Sequence, residues 1–274
     1  NGNGNAGGKG GAKPANTGIL YHNGPIMPQV NVAVIYWGTS TLYPGGPAPG
    51  ATGSGASDGS LIGTFLRGLG GTPYWNINTD YYDKVTGPNR YVPSAVSYTG
   101  FWADNENPGG TVSDAAIQAE IAQAFTTGKL TYNANTIYAV MSGPGVNLGG
   151  GFGSQYCAYH GKFTWQGNVV IYAAQPYNAG VSGCQAQSVG PNGDPSDAEV
   201  NTFAHEIEEA ATDPQLNAWY DRRGYENADK CAWTFGSTYT TGNGATANMV
   251  IGGRNFLIQR NWLNRGSGGC ALSL

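Results

Sequence analysis

Short apolar runs alternate with amphipathic segments along most of the chain. The nearly continuous apolar runs at 31–38 and 136–143 predict strands that are buried on both faces of a sheet. Residues 91–103 predict another strand. The segments KFTW and NVVIYAAQ predict a hairpin that turns at Gln166 and Gly167. The pattern therefore indicates one sheet built from several buried strands.

Three segments have the apolar spacing of amphipathic helices, and they cover 60–69, 113–128 and 196–214. In the second, Ser113 predicts the N-terminal cap and Gly128 the stop. In the third, Ser196 and Glu199 have the spacing of a capping box. Because strands and helices alternate, the order predicts an α/β (α+β) fold with helices packed on a mixed sheet.

The glycine and proline distribution predicts how the chain is divided. Residues 1–18 are rich in Gly and Asn and predict a flexible arm, and 45–60 predict a long surface loop. A sheet-and-helix domain is expected over 19–214. Residues 215–274 are Gly-, Asn- and aromatic-rich with short strand-like runs, which predicts an irregular, β-rich C-terminal subdomain.

The composition excludes several classes of partner. Charged residues make up 11% of the chain, against roughly 25% in typical soluble domains. The net charge is −4, without a basic block, so nucleic acid and anionic membranes are not expected partners. No apolar run approaches the roughly 18 residues of a membrane span. We expect a monomer that binds neither nucleic acid nor membrane.

Four cysteines without a C-x-x-C pair predict two disulfides and an oxidising, extracellular compartment. Three pairings are possible. We favour Cys157 with Cys184 and Cys231 with Cys270, because each bond then closes its own half of the chain. A chain that begins at Asn1 also fits the removal of a signal peptide.

The stretch AHEIEEAATDP (204–214) concentrates metal-binding and proton-transferring groups on one helix. His205 and Glu209 are four residues apart, so both can reach one ion, and Glu206 lies beside them. This is the spacing of the H-E-x-x-H helix of metallopeptidases, with Glu209 in place of the second histidine. In that scheme His205 and Glu209 bind the metal, and Glu206 takes a proton from the water that the metal activates.

A solvated acidic helix face is the alternative interpretation of the same stretch. An apolar stripe that includes Val200 and Phe203 faces the sheet, and a polar face opposite such a stripe is typical of surface helices. The scarcity of glutamate elsewhere in the chain favours a site.

A zinc site needs a third protein ligand, and two acids in the segment DRRGYENAD follow at suitable spacing. Glu226 and Asp229 lie 17 and 20 residues after Glu209. Glu226 is the preferred ligand, and Asp229 is its alternative or the group that orients it. Asp213 is the third choice, although an Asp-Pro pair at a helix end is commonly a stop signal.

Two further residues have candidate catalytic roles. His160 could be a fourth ligand or a donor to the oxyanion, although a lone histidine is more often structural. Tyr220 could donate to the oxyanion instead, and His22 is expected to be structural. Two carboxylates and one imidazole leave the ion with little residual charge. The site could therefore accept calcium or manganese as well as zinc.

The segments YHNGPIMPQVNVAVIYWG, YWNINTDYYD, CAYHG and AHEIEEAATDPQLNAWYD…ENADKC resemble the EXORDIUM (phosphate-induced) protein family. The resemblance runs from about Ile19 to Cys270 and implies a secreted, disulfide-bonded protein of the plant cell wall or a microbial relative. It also implies that the H-E-x-x-E motif is followed by an acid-x-x-Asp-x-Cys segment. The order of helices is similar to that of zincin metallopeptidases, which is an analogy at the level of the fold.

Three functions are consistent with these features. The first is a secreted zinc-dependent hydrolase of the metallopeptidase type that acts on a peptide or protein. The second is a non-catalytic extracellular protein in which the ion locks the helix at 196–212 onto residues 221–231. The third, motivated by exposed Trp and Tyr, is a carbohydrate-binding wall protein whose partner is a cell-wall polymer.

Overall fold

The computed structural model describes the backbone of Gly4–Gly7 and residues 18–274 in full. Most of the predicted arm, residues 1–3 and 8–17, lies outside the described residues. Gly4–Gly7 forms a strand (β1) that pairs antiparallel with the strand containing His160.

A mixed seven-stranded sheet is the centre of the fold and confirms the predicted class. Its strands after β1 are β2 (Val30–Trp37), β3 (Thr52–Gly53), β4 (Val96–Trp102), β5 (Thr136–Ser142), β6 (Tyr156–Trp165) and β7 (Asn168–Gln175). In the order β1-β6-β7-β5-β2-β4-β3, the strands β7, β5, β2 and β4 run parallel, and the other pairings are antiparallel.

The two predicted buried strands, β2 and β5, are neighbours at the centre of the sheet, and every residue of both is buried. The predicted strand at 91–103 is wrong in its first third. Pro93 has no backbone N–H to donate, and β4 begins only at Val96. A separate short strand, Arg90–Tyr91, pairs with Tyr82–Asp83.

The hairpin of β6 and β7 turns at Gln166 and Gly167, as predicted. Both residues have positive φ, 48° and 80°, which is the conformation that a two-residue hairpin turn requires. β6 begins at Tyr156, so CAYHG, with His160, lies within the strand.

The described residues contain three α-helices, where three were predicted: α1 (Leu61–Leu69), α2 (Asp114–Thr126) and α3 (Asp197–Thr212). The cap prediction for α2 is confirmed, because Ser113 Oγ accepts a hydrogen bond from Ala116 N at 3.2 Å. Ser60 caps α1 in the same way through Gly63 N, at 3.0 Å.

The capping box predicted for α3 is wrong. Ser196 has helical φ and ψ, so its side chain does not cap the helix, and its hydroxyl donates to Asp194 instead. Glu199 is buried and accepts from Tyr43 OH at 2.9 Å. The helix entry is instead stabilised by Asp197, whose carboxylate accepts from the backbone of Asn192 and Asp194.

The helices cover both faces of the sheet. On one face, Ile117 and Ile121 of α2 belong to a buried cluster with Ile35, Tyr138 and Tyr172 of the strands. On the other face, α1 and α3 belong to a larger cluster. That larger cluster also includes apolar residues from the predicted C-terminal subdomain, namely Trp219, Ile251, Phe256, Ile258 and Trp262.

The remaining elements are short. Antiparallel strand pairs join Leu20–Tyr21 with Trp219–Tyr220, Tyr239–Thr240 with Thr246–Ala247, Met249–Ile251 with Arg254–Phe256, and Asn261–Leu263 with Gly269–Ala271. The 3-10 helices are Ser40–Leu42, Gly55–Ser57, Trp75–Asp80 and Asp229–Cys231. No helix in the described part of the chain is both long and apolar enough to span a bilayer.

The predicted surface loop at 45–60 is partly wrong, because its last residues enter the core. Asp58 is fully buried. Its carboxylate accepts hydrogen bonds from Tyr36 OH at 2.5 Å and Tyr98 OH at 2.7 Å, which provide the partners that a buried carboxylate needs.

Both predicted disulfides are confirmed. Cys157 is bonded to Cys184, and Cys231 to Cys270. The first bond joins β6 to the segment before α3. The second joins the 3-10 helix Asp229–Cys231 to the last strand pair, so each bond crosslinks a segment that flanks α3.

Candidate metal centre

α3 is buried on all sides, which excludes the solvated acidic face considered for its sequence. Glu206, Glu208 and Glu209 have no exposed surface. The reason is the position of the helix, which packs against β6 and β7 on one side and against α1 and the 3-10 helix Trp75–Asp80 on others. The polar groups of α3 must therefore find partners inside the protein.

The pair predicted from the motif is in contact. His205 Nε2 lies 2.9 Å from Glu209 Oε1, one turn along the helix, and 3.3 Å from Asp229 Oδ1. These three side chains can offer ligand atoms within 4.8 Å of one another. The sequence-predicted His205, Glu209 and Asp229 are therefore brought together.

A second histidine enters the same cluster from the sheet. His160 on β6 is fully buried, and its Nδ1 lies 3.3 Å from Glu206 Oε2 and 3.5 Å from Glu209 Oε2. Its Nε2 lies 3.6 Å from Glu226 Oε1. His160, Glu209 and Glu226 form a second set of ligand atoms within 4.8 Å, and Glu209 belongs to both sets.

The segment 226–231 closes the cluster through its backbone as well as its acids. Glu226 N donates to Asp229 Oδ2 at 3.2 Å, and Asp229 N donates to Glu209 Oε1 at 3.0 Å. The segment continues into the 3-10 helix that carries Cys231. We name the six side chains His160, His205, Glu206, Glu209, Glu226 and Asp229 the buried cluster.

Gln259 is a neighbour of the buried cluster that the sequence did not indicate. Its Nε2 lies 2.6 Å from His205 Nδ1, and its Oε1 accepts from Trp233 N at 3.2 Å. Its backbone N donates to Asn201 Oδ1 at 2.7 Å. A single glutamine 54 residues after the motif carries no local signal, so only the fold reveals this contact.

Several atoms of the buried cluster have no hydrogen-bond partner although they are out of contact with solvent. Among the described residues they include His160 Nε2, His205 Nε2, Glu209 Oε2 and Glu226 Oε1. The short distance from His205 Nε2 to Glu209 Oε1 is thus a close approach without hydrogen-bond geometry. Unpartnered buried polar atoms are rare in native proteins, and four of them converge here.

The electrostatics of the buried cluster are strongly perturbed. Burial alone lowers the pKa of each histidine, but the surrounding carboxylates outweigh it and raise the pKa of His160 and His205 well above the ordinary value. Burial raises the pKa of Glu206 to about 7. Burial also acts on Glu209, but the two histidines lower its pKa to about 2. The carboxylates therefore differ in how readily they carry a charge.

The other candidate residues have separate roles. Tyr220 stacks on His22, with ring centroids 3.6 Å apart. Asp213 accepts from Asn217 N and Ala218 N at 2.6 and 2.7 Å, so it organises the turn after α3. Glu208 is buried, and burial raises its pKa well above the ordinary value.

Comparison with known proteins shows the family to which the chain belongs. The conserved region of phosphate-induced protein 1 matches residues 71–262, well over half of the chain. The chain belongs to the EXORDIUM (phosphate-induced) protein family. A relative from Arabidopsis thaliana, "Protein EXORDIUM-like 5", is 26% identical over 291 residues, which cover 89% of this chain and 75% of the relative. No solved structure shows significant similarity to the chain.

The EXORDIUM match confirms the resemblance to this family that the motifs indicated. All six residues of the buried cluster and Gln259 lie within the matched region. β2 and Cys270 lie outside it. The region matched by the EXORDIUM family thus contains every residue of the buried cluster.

Proposed function

We propose that the protein is a secreted, non-catalytic EXORDIUM-like protein whose buried cluster binds a divalent cation. His160, Glu209 and Glu226 would hold the ion. They belong to β6, α3 and the segment that follows α3, so the ion would fasten three parts of the fold together. This is the structural alternative considered for the motif, with His160 in place of His205 as the imidazole ligand.

The observation that carries the proposal is the convergence of unpartnered atoms. His160 Nε2, Glu209 Oε2 and Glu226 Oε1 are buried and have no hydrogen-bond partner. Leaving a buried polar group unpaired costs about 1 to 3 kcal/mol, and more when it is charged. One cation would supply a partner to all three atoms.

The orientation of His160 supports the same ligand set. Its Nδ1 lies 3.3 Å from Glu206 Oε2, and this oxygen can accept a hydrogen bond from Nδ1 when Nδ1 carries the proton. Metal-ligating histidines commonly donate their other ring N–H to a carboxylate, which fixes the tautomer. With the proton on Nδ1, the lone pair of Nε2 is available to the ion.

The charge and the donor types favour a transition metal. Two carboxylates cancel the charge of a dication, which lowers the cost of burying it. One nitrogen and two oxygens suit zinc or manganese, whereas calcium takes six to eight oxygen ligands. Zinc is therefore the first choice, ahead of manganese and calcium.

Burial favours this role over the zinc-dependent peptidase that the motif predicts. A hydrolytic site keeps a coordination position that the substrate can reach. His160, Glu206 and Glu209 have no exposed surface, and the Asp229 side chain is only 13% exposed. Glu206 would then serve as the acceptor for His160 and not as a general base.

The compartment and the partner are part of the proposal. The two disulfides support an extracellular location, where such bonds persist. A cell-wall polymer is the proposed partner class, on the basis of the family resemblance. Exposed tryptophan does not support it, because none of the seven tryptophans is exposed.

Elemental analysis of the full chain tests the proposal. Protein secreted from a eukaryotic host and dialysed against zinc should retain at least one equivalent per chain. His160→Ala should retain at least one equivalent less than the wild type, and His22→Ala should retain as much as the wild type, since His22 is the one histidine outside the buried cluster. A wild-type protein that retains no zinc, manganese or calcium after reconstitution contradicts the proposal.

A further inference from the structure

We infer that the buried cluster accommodates a second divalent cation, held by His205, Glu209 and Asp229, with Glu209 bridging the two ions. This inference rests on the proposed function, because it places the second ion beside the first. It assigns a stoichiometry of two and a role to each histidine.

The two oxygens of Glu209 face different histidines. Oε1 lies 2.9 Å from His205 Nε2, and Oε2 lies 3.5 Å from His160 Nδ1. Glu209 offers a ligand atom to both sets, although the His160 nitrogen nearest to Oε2 is Nδ1 and not the metal-binding Nε2. A carboxylate shared in this way can bridge two ions, which in two-metal sites are about 3.5 to 4 Å apart. Glu209 is also fully buried, so neither oxygen contacts bulk solvent.

The second set has an unpartnered atom of its own. His205 Nε2 is buried and makes no hydrogen bond, although carboxylate oxygens of Glu209 and Asp229 lie 2.9 and 3.3 Å away. These distances are those of ligand atoms that surround one ion. Asp229 N donates to Glu209 Oε1 at 3.0 Å, which holds this side of the bridge in place.

The charges of the buried cluster balance with two ions. Glu206, Glu209, Glu226 and Asp229 together carry four negative charges when ionised. One dication leaves two of them uncompensated in a buried site, and a second dication brings the sum to zero. Because uncompensated buried charge is strongly unfavourable, a second ion or two protons must be present.

Because of Gln259, the second ion should bind with lower affinity than the first. An imidazole that binds through Nε2 carries its proton on Nδ1, but His205 Nδ1 faces Gln259 Nε2 at 2.6 Å. Binding therefore requires the amide to turn and present Oε1, which then gives up its contact with Trp233 N. His160 needs no such change, because Glu206 already faces its Nδ1.

Calorimetric titration of the metal-free full chain with zinc chloride tests this order. We expect two steps, a tight one and a weaker one, and two equivalents by elemental analysis. Gln259→Glu should tighten the second step roughly tenfold, because a carboxylate accepts from both His205 Nδ1 and Trp233 N. The matched control Gln187→Glu, whose amide pairs with Thr246, should leave both steps unchanged.

The remaining outcomes separate this inference from the proposed function. His205→Ala should lose only the second step, and manganese-loaded wild type should show a spin-coupled signal in electron paramagnetic resonance. One equivalent in the wild type, unchanged in His205→Ala, overturns the second ion but leaves the proposed function standing. Two uncoupled manganese ions overturn the bridge, and no bound metal overturns both proposals.

Discussion

His160 and Glu206 are separated by 46 residues in sequence, yet the Nδ1 of the histidine lies 3.3 Å from Oε2 of the glutamate. The contact joins a strand of the sheet to the most deeply buried helix. Because neither side chain is exposed, both need polar partners inside the protein. Glu206 therefore has two possible roles, which substitutions can distinguish: it could orient His160 as a metal ligand, or it could act as a general base.

The substitution Glu206→Gln should leave the metal bound. The glutamine Oε1 still accepts from His160 Nδ1, so the tautomer that frees Nε2 is retained. Glu206→Leu removes the acceptor and should weaken zinc binding by roughly tenfold or more. Metal content and zinc titration measure both effects. Peptide cleavage by the wild type that disappears in Glu206→Gln would instead support the peptidase mechanism.

Chelation should lower the thermal stability of the wild-type protein. A ligand present at about 100 times its Kd stabilises the folded state by about 2.7 kcal/mol, and in a chain of this size that corresponds to roughly 5 to 10 °C in Tm. Differential scanning fluorimetry with and without EDTA measures the shift. Zinc should restore it. An equal EDTA effect in His160→Ala would argue that the chelator acts elsewhere.

The free energy of unfolding should decrease as the pH rises from acidic to alkaline, because Glu120 on α2 loses its proton. Burial, together with Asp104 and with Glu106 nearby, raises the pKa of Glu120 from 4.5 to about 8. The folded chain therefore holds this proton more tightly than the unfolded chain. Its contribution to stability is complete below about pH 4.5 and is lost as the pH rises through about 8.

The variant Glu120→Gln isolates this contribution, because its side chain is neutral at every pH. Between about pH 5 and about pH 9, its Tm should fall less than that of the wild type. Glu106→Gln, at an exposed position, is the matched control and should change the slope much less. Parallel slopes for wild type and Glu120→Gln would contradict the assignment.

Removing the Cys231–Cys270 bond should destabilise the protein by about 3 to 4 kcal/mol. The bond closes a loop with a sequence separation of 39 residues, and the loss of chain entropy in the unfolded state scales with that length. The double variant Cys231→Ala/Cys270→Ala tests this by urea denaturation. The shorter Cys157–Cys184 loop, with a separation of 27, should give a slightly smaller loss.

Local sequence patterns predict the elements that depend only on residues close together in the chain. The apolar runs of β2 and β5, the Ser113 cap and the turn at Gln166 and Gly167 each depend on a few neighbouring residues. The capping box at Ser196 failed because the preceding turn, built around Asp194, draws the serine hydroxyl away. A local motif therefore predicts a local structure only when no neighbouring side chain competes for the same group.

The buried cluster was only partly predictable for the opposite reason. His205 and Glu209 are one helical turn apart, and that spacing is visible in the sequence. His160 and Gln259 come from a strand and a loop 45 and 54 residues from His205, and only the packing of the sheet and the C-terminal segment brings them close. The sequence does not by itself distinguish an α3 buried on both faces from the solvated alternative, because a polar face opposite an apolar stripe is typical of surface helices.

The enclosure of α3 has a consequence for amide hydrogen exchange. From Glu199 to Thr212 α3 is buried on every face, so its backbone protons exchange only when the surrounding sheet, α1 and the C-terminal segment open together. Peptides covering 199–212 should therefore take up deuterium last, at the rate of global unfolding. Deuterium uptake by the peptides of this helix would then measure the global unfolding of the protein by mass spectrometry.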